Sequence, residues 1–410
     1  MRAGILSIGE ELLRGDVVDT NAAFLAREAS QLGLRVESIS AQGDSLPALS
    51  GAVERSLRTV DVTICTGGLG PTADDLTREA IAAALGEEMR IQPDLLADLE
   101  GRFASMGRRM PERNTKQATL ISSAEAIPNP NGTAPGWYVS RGTRVVAALP
   151  GPPREMRPMW QNWVKPRLEA MLDGKVAMLS LLTFGLGESA VEEKLDDIIQ
   201  GNPRVVVATY AKESAVEVHI TARADTLEES RHLLFQTEAH IRQRLGEVIF
   251  GSGTETLSSA TLDAAAQNGM SIAVMESCTG GALASMITDT AGSSNSFRGG
   301  VVAYTREAKE RYGVPSEVIE RHGIISAETA LAMADAARFL FHSDIGLGTT
   351  GVAGSDPVED RPSGTVFIAL SGNSLRETRE IHRPGDRPFI KRFASLCALD
   401  LLRRQLRHGA

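Results

Sequence analysis

Histidine is absent from the first 218 residues of this 410-residue chain, and all seven (His219, His232, His240, His322, His342, His382 and His408) come after them. The first half therefore has no imidazole to act as base or metal ligand. Any metal held there has oxygen ligands, which suits hard divalent cations. Cysteine is also scarce. Cys65, Cys278 and Cys397 lie far apart, which excludes a disulfide framework and a paired-cysteine zinc site. Beyond residue 250 lysine is reduced to Lys309 and Lys391, and tyrosine to Tyr304 and Tyr312. Aromatic residues make up 4% of the chain and the formal net charge is −9. General nucleic-acid binding uses a basic surface and stacking rings, so no nucleic-acid partner is expected. No apolar run approaches the ~18 residues of a membrane span. The opening passes from Met1-Arg2 through Ala3–Ile8 into Gly9-Glu10-Glu11, too short and too quickly acidic for a signal peptide. These absences predict a cytoplasmic protein with no membrane partner.

What is present is ordinary core material, 42% hydrophobic, in a chain long enough for two or three domains. Apolar runs ending in glycine alternate with amphipathic stretches over residues 1–173, as in Val60–Cys65 followed by Asp75–Leu85. The same alternation restarts over 254–410. Between them, 174–250 reads as a compact βαββα unit, with Gly251–Thr254 as linker. The expected fold class is α/β: two three-layer α/β domains with mainly parallel sheets, joined by a small α+β domain.

Two motifs carry chemistry. Thr66-Gly67-Gly68-Leu69-Gly70-Pro71-Thr72-Ala73-Asp74-Asp75 lies between a buried strand and a helix, at the sheet edge where open α/β folds bind ligands. Its glycines let backbone N–H groups face an anion, and its paired carboxylates suit a cation lying between them and phosphates. The alternative is a tight turn whose Asp75 only caps a helix. The second motif, Met275-Glu276-Ser277-Cys278-Thr279-Gly280-Gly281, also follows a buried strand and opens a helix. A nucleophile there faces outward, with N–H groups beside it for an oxyanion, as acyl transfer requires. Ser277 and Cys278 compete for the role. Tyr304 and Lys309, at the next strand-to-helix junction, are candidates to activate a serine if burial lowers the lysine pKa. Taken singly, each has a plainer reading as cap, core aromatic or solvated lysine.

The first motif, with Gly9-Glu10-Glu11-Leu12-Leu13-Arg14-Gly15 and Asp19-Thr20-Asn21, resembles the N-terminal domain of the CinA family. That domain is similar to molybdopterin-binding domains. Arg113–Ala118, Asn131–Gly136 and Leu149–Met156 agree, although Pro152 stands where the family usually has valine. The resemblance implies cleavage of ADP-ribose to AMP and ribose 5-phosphate with a divalent metal (Mg, Mn or Co). It implies that Gly67, Gly68, Gly70, Thr72, Asn21 and Lys116 contact substrate, and that Asp74 and Asp75 hold metal, with Glu10 and Asp19 as further candidates. Phe184-Gly185-Leu186-Gly187-Glu188-Ser189 is similar to the entry of the family's KH-like domain, yet residues 175–250 carry no G-x-x-G clamp. The second motif resembles the family's C-terminal domain and the nicotinamide-mononucleotide deamidases. This implies a nucleophilic Ser277 with Tyr304 and Lys309, and substrate contacts from Thr279, Gly280, Gly281, Gly351, Ala353 and Gly354. Thr305-Arg306 and the acidic Ser355–Asp360 stretch depart from the family pattern. No cofactor is expected in this domain, and the resemblance suggests a homodimer. The alternatives are a non-catalytic molybdopterin-binding module at the N-terminus, or a regulatory partner in competence or DNA repair.

Overall fold

The structure, a computed structural model, describes residues 1–172, 174–212 and 215–407. Asp173, at the first expected domain boundary, and His408 lie outside the described residues. The N-terminal sheet has six strands in the order Arg35–Gln42, Arg2–Ile8, Val62–Thr66, Arg144–Leu149, Gly136–Arg141, Ala124–Ile127. The first four run parallel and the last two antiparallel. Those two strands are short and share no clear alternation, so their sequence gave no strand signal.

Helix Thr20–Gln31 starts where Asp19 accepts the Ala22 N–H at 2.8 Å, and it buries Ala22, Leu25 and Ala29. These pack with Met156, Met159, Trp160 and Val164 on one face of the sheet. Leu49, Ala52 and Val53 of Leu46–Thr59 pack with Ala80, Ile81 and Ala82 on the other, completing three layers. The closing segment passes Pro158 and Pro166 without a break, through a π-helical turn at Trp160–Val164. A ring that removes one i→i−4 hydrogen bond is accommodated by a local change of helical pitch.

A four-stranded sheet follows, ordered Val205–Ala211, Val216–Ala224, Lys175–Thr183, Ile249–Ser252. The last strand takes in Gly251 and Ser252, expected as linker. The chain gathers into two compact units, residues 1–178 with 222–233 and residues 179–221 with 234–410.

The C-terminal sheet is ordered Phe297–Val302, Ile272–Glu276, Ile345–Gly351, Thr365–Ser371, Arg376–His382. The first three strands are parallel and the last two antiparallel. Helix Ala327–Leu340 lies directly on Ile345–Gly351, because a Cβ at Gly346 or Gly348 would run into the carbonyl oxygens of Ala334 or Ala330. Helices Leu257–Gln267 and Arg387–Arg407 cover the opposite face.

Candidate functional sites

In the C-terminal domain, strand Ile272–Glu276 ends in a fully buried glutamate. The Glu276 carboxylate turns back to accept N–H groups from Gly281 (2.9 Å), Leu283 (3.1 Å) and Ala284 (2.8 Å), capping helix Ala282–Thr288. Negative charge at a helix N-terminus is favourable, and here it also fixes the turn that carries Ser277. The Ser277 N–H donates to Thr349 O at 2.9 Å, and the hydroxyls of Thr279 and Thr349 are 2.8 Å apart. The elbow is thereby tied to the adjacent parallel strand.

Lys309 completes this arrangement. It is 0% exposed, and its Nζ donates to Ser277 Oγ at 2.8 Å, Ala303 O at 2.9 Å and Tyr304 O at 3.3 Å. Burial lowers its pKa to about 8, with Glu359 acting in the opposite direction. At pH 7 about one molecule in ten then carries the neutral amine. Cys278, the competing candidate, is held as the thiol. Burial pushes its thiol up to about 12, outweighing the helix N-terminus that favours a thiolate.

Tyr304 stands apart from the pair. The residue is 57% exposed and its hydroxyl accepts a hydrogen bond from Arg387 at 3.3 Å, while the Lys309 amine donates to its backbone carbonyl. The expected Ser–Lys–Tyr set is therefore a Ser–Lys pair, because the loop after strand Phe297–Val302 leaves the phenol exposed beside Arg387. Sequence reading missed Arg387 and Lys391. They lie four residues apart in the first turns of helix Arg387–Arg407, whose start is tightened by Asp386 accepting the Phe389 N–H at 2.9 Å. A Cβ at Gly354 would sit 3.2 Å from the Arg387 guanidinium, and one at Gly280 would sit 3.1 Å from Lys391 Nζ. Two cations thus meet the two glycine turns near Ser277. Spacing on an otherwise lysine-poor helix was the available signal.

Two residues of the segments that depart from the family pattern, Arg306 and Glu359, have local partners. Arg306 pairs with Glu310 (2.7 Å) and Glu320 (2.9 Å). Glu359 accepts the N–H groups of Ile324 (3.0 Å) and Ile325 (2.9 Å), with left-handed backbone at Glu359 and Asp360.

In the N-terminal domain, Gly67 and Gly68 have φ of 103° and 62°, so the chain folds back after Val62–Thr66. Thr77 Oγ1 donates to Gly67 O at 2.8 Å and holds the loop down. Buried Arg78 donates to Leu69 O and Pro135 O, both at 2.9 Å. Several expected ligands are occupied. The Asp75 carboxylate accepts the Thr72 N–H (2.8 Å) and hydroxyl. Lys116 donates to Thr72 O (3.1 Å) and Asp75 O (2.6 Å) and pairs with Glu79 (3.1 Å), so it staples the loop. Asp19 caps its helix, and Glu10 accepts the Asp44 N–H at 3.2 Å. Asn21 donates to Thr66 Oγ1 (3.1 Å) and Gly151 O (2.7 Å). Asp74 is exposed, with its carboxyl lowered by Thr72. The Asp44 carboxyl is raised by burial and by the like charges of Asp74, Glu10 and Glu11. The edge is negative and offers only oxygen donors, as a hard cation requires. Among the described residues, however, no three acidic, histidine or cysteine side chains gather as a cage. A cation would have to take its remaining ligands from substrate phosphates.

The fold and sites together define a protein of two α/β domains, one with a glycine-rich loop at a sheet edge and one with a buried Ser–Lys pair, joined in sequence by a small four-stranded sheet. Three family descriptions match it in order: "Probable molybdopterin binding domain" over residues 4–170, "Damage-inducible protein CinA KH domain" over 180–251, and "CinA C-terminal domain" over 254–406. A putative competence-damage inducible protein of Clostridium novyi is 38% identical over 408 residues, covering 99% of each chain. A CinA-like protein of Frankia casuarinae is 42% identical over 419 residues, covering 99% of this chain and 96% of its own. The chain belongs to the CinA family. Among solved structures, the protein CinA of Thermoplasma acidophilum, described as of unknown function, is 33% identical with a TM-score of 0.39, covering 40% of this chain and 98% of its own.

Proposed function

We propose that the C-terminal domain is a serine amidohydrolase that converts nicotinamide mononucleotide to nicotinate mononucleotide and ammonia. The observation that carries this reading is the 2.8 Å contact between fully buried Lys309 and Ser277. The neutral Lys309 amine takes the Ser277 proton as Oγ attacks the carboxamide carbon. The N–H groups of Gly280 and Gly281 are already spent on Ser277 O and Glu276. Those of Cys278 and Thr279, which face the Cys278 thiol, are the donors turned toward the oxyanion in this reading. The resulting ammonium proton passes to the amide nitrogen, the C–N bond breaks and ammonia leaves. Water then cleaves the acyl-serine through the same lysine. Arg387 and Lys391 supply positive charge for the nucleotide phosphate, with Gly351, Ala353 and Gly354 as its backbone wall. Ser277→Ala abolishes ammonia release, and Cys278→Ala retains most of it. The reverse pattern contradicts the assignment.

For the N-terminal domain we propose binding of ADP-ribose across the Gly67–Gly70 loop and its cleavage to AMP and ribose 5-phosphate. A divalent Mg, Mn or Co ion between Asp74 and the phosphates would neutralise charge at the diphosphate. EDTA and Asp74→Ala should each stop AMP formation. A second reading, a molybdopterin-binding module without turnover, is favoured by the absence of a three-carboxylate cage among the described residues. Binding unaffected by added metal, with no AMP formed, would establish it.

A further inference from the structure

Three arginines converge on a cavity that the proposed reactions do not use. It measures about 380 Å³ and is lined by Arg379, Arg383 and Arg404, with Asp400 as the carboxylate of its wall. All of these residues lie in one compact unit. The cavity is separate from the Ser277 site. Helix Arg387–Arg407 lines it with Phe393, Cys397, Asp400 and Arg404, which form one stripe at helical spacing. Arg387 and Lys391, which meet the glycine turns near Ser277, lie roughly a third of the way round the same helix at 3.6 residues per turn.

Each guanidinium is positioned by its neighbours. Asp400 is 2% exposed, and its carboxylate accepts from Arg403 at 2.6 Å and from Arg404 at 2.8 Å, so its charge is already compensated. Arg379 lies 3.6 Å from Glu377. Arg383 stacks over Phe393 at 5.5 Å and makes no side-chain hydrogen bond or ion pair among the described residues. The charges of Arg379 and Arg383 both reach Cys397 on the cavity wall, where they oppose the rise that burial gives its thiol. Four guanidiniums thus meet two carboxylates here, in a chain whose formal net charge is −9. Arginine forks match phosphate oxygens, and an anion bound among them offsets their mutual repulsion. The rest of the lining is apolar, with Phe184, Ile381 and Phe393, and the volume falls within the ~300–1,000 Å³ of small-molecule sites. We propose that this cavity binds a nucleotide, with its phosphates on Arg379, Arg383 and Arg404 and its base against the apolar wall. An acidic peptide is the other anion that arginines attract, but a concave site with one apolar wall suits a single ring, and the test separates the two.

The test uses the full chain in EDTA with isotope-labelled isoleucine methyl groups. It follows the Ile381 methyl by NMR, so that binding elsewhere in the chain is not counted. The probes are ADP, adenosine, pyrophosphate and hexaglutamate. ADP is expected to shift the Ile381 resonance saturably, about tenfold or more tightly than adenosine or pyrophosphate, since each of those lacks one half of the match. Arg383 is exposed and without a polar partner among the described residues, so Arg383→Ala is expected to keep the wild-type melting temperature. It is expected to weaken ADP binding at Ile381 about tenfold, as the loss of one charged donor group implies. Arg387→Ala, on the other stripe of the helix, is expected to leave that affinity within about twofold. The absence of a saturable Ile381 shift with ADP overturns the proposal. So does equal binding of adenosine or pyrophosphate, tighter binding of hexaglutamate, unchanged ADP affinity in Arg383→Ala, or loss of ADP binding in Arg387→Ala.

Discussion

Lys309 and Glu276 are the two charges on which the C-terminal site turns, and burial costs each differently. Glu276 is satisfied by three N–H groups, whereas Lys309 gives three hydrogen bonds to neutral oxygens. Glu276→Gln turns an amide NH₂ toward those donors and is expected to cost about 1–3 kcal/mol, read as a lower melting temperature. Lys309→Met is expected to abolish ammonia release without lowering the melting temperature at pH 7. The sign follows from linkage. The folded-state pKa of Lys309, about 8, lies below its ordinary 10.5, so the folded chain holds fewer protons between those values. Its destabilising contribution is full below pH 8 and disappears as pH rises toward 10.5. The motif around Ser277 was legible in the sequence because chemistry and glycine spacing coincide there. The outward turn of Tyr304 was not, because it lies in the loop beyond strand Phe297–Val302, where its partner is Arg387, 83 residues away in sequence.

At the scale of elements, helix starts and sheet edges place both sites. Asp19→Ala removes the cap of Thr20–Gln31 and is expected to cost ~1 kcal/mol in denaturant unfolding. Gly348→Ala sets a methyl against the Ala330 carbonyl, where backbone cannot yield as a side chain can. It is expected to cost about 1–3 kcal/mol or more by the same measurement. The alternation of strand and helix was legible in hydrophobic periodicity, as at Val62–Thr66 and Ala327–Leu340. The antiparallel strands Gly136–Arg141 and Ala124–Ile127 were not, since pairing with a neighbour, not local pattern, makes them strands. Arg387 and Lys391 escaped notice for a similar reason. The tertiary fold carries Arg387 back to the turn at Gly354 and Lys391 back to the much more distant turn at Gly280.

Across the whole molecule, the N-terminal loop lies within one compact unit and the Ser–Lys pair within the other. Sites without shared partners act additively. Ser277→Ala should therefore leave AMP formation from ADP-ribose unchanged, and Asp74→Ala should leave ammonia release unchanged, when both assays are run on the same preparations. The histidine-free first half fits this division, since its carboxylate edge and glycine loop need no imidazole. In the lysine-poor second half Lys309 is the buried lysine beside Ser277, and the proposed reaction uses it as the base. That claim is tested most directly by kcat/KM for ammonia release from nicotinamide mononucleotide as a function of pH. The account predicts a rise governed by a single ionisation near pH 8, levelling above it. A rate that is flat through that range, or that falls as Lys309 loses its proton, would contradict it.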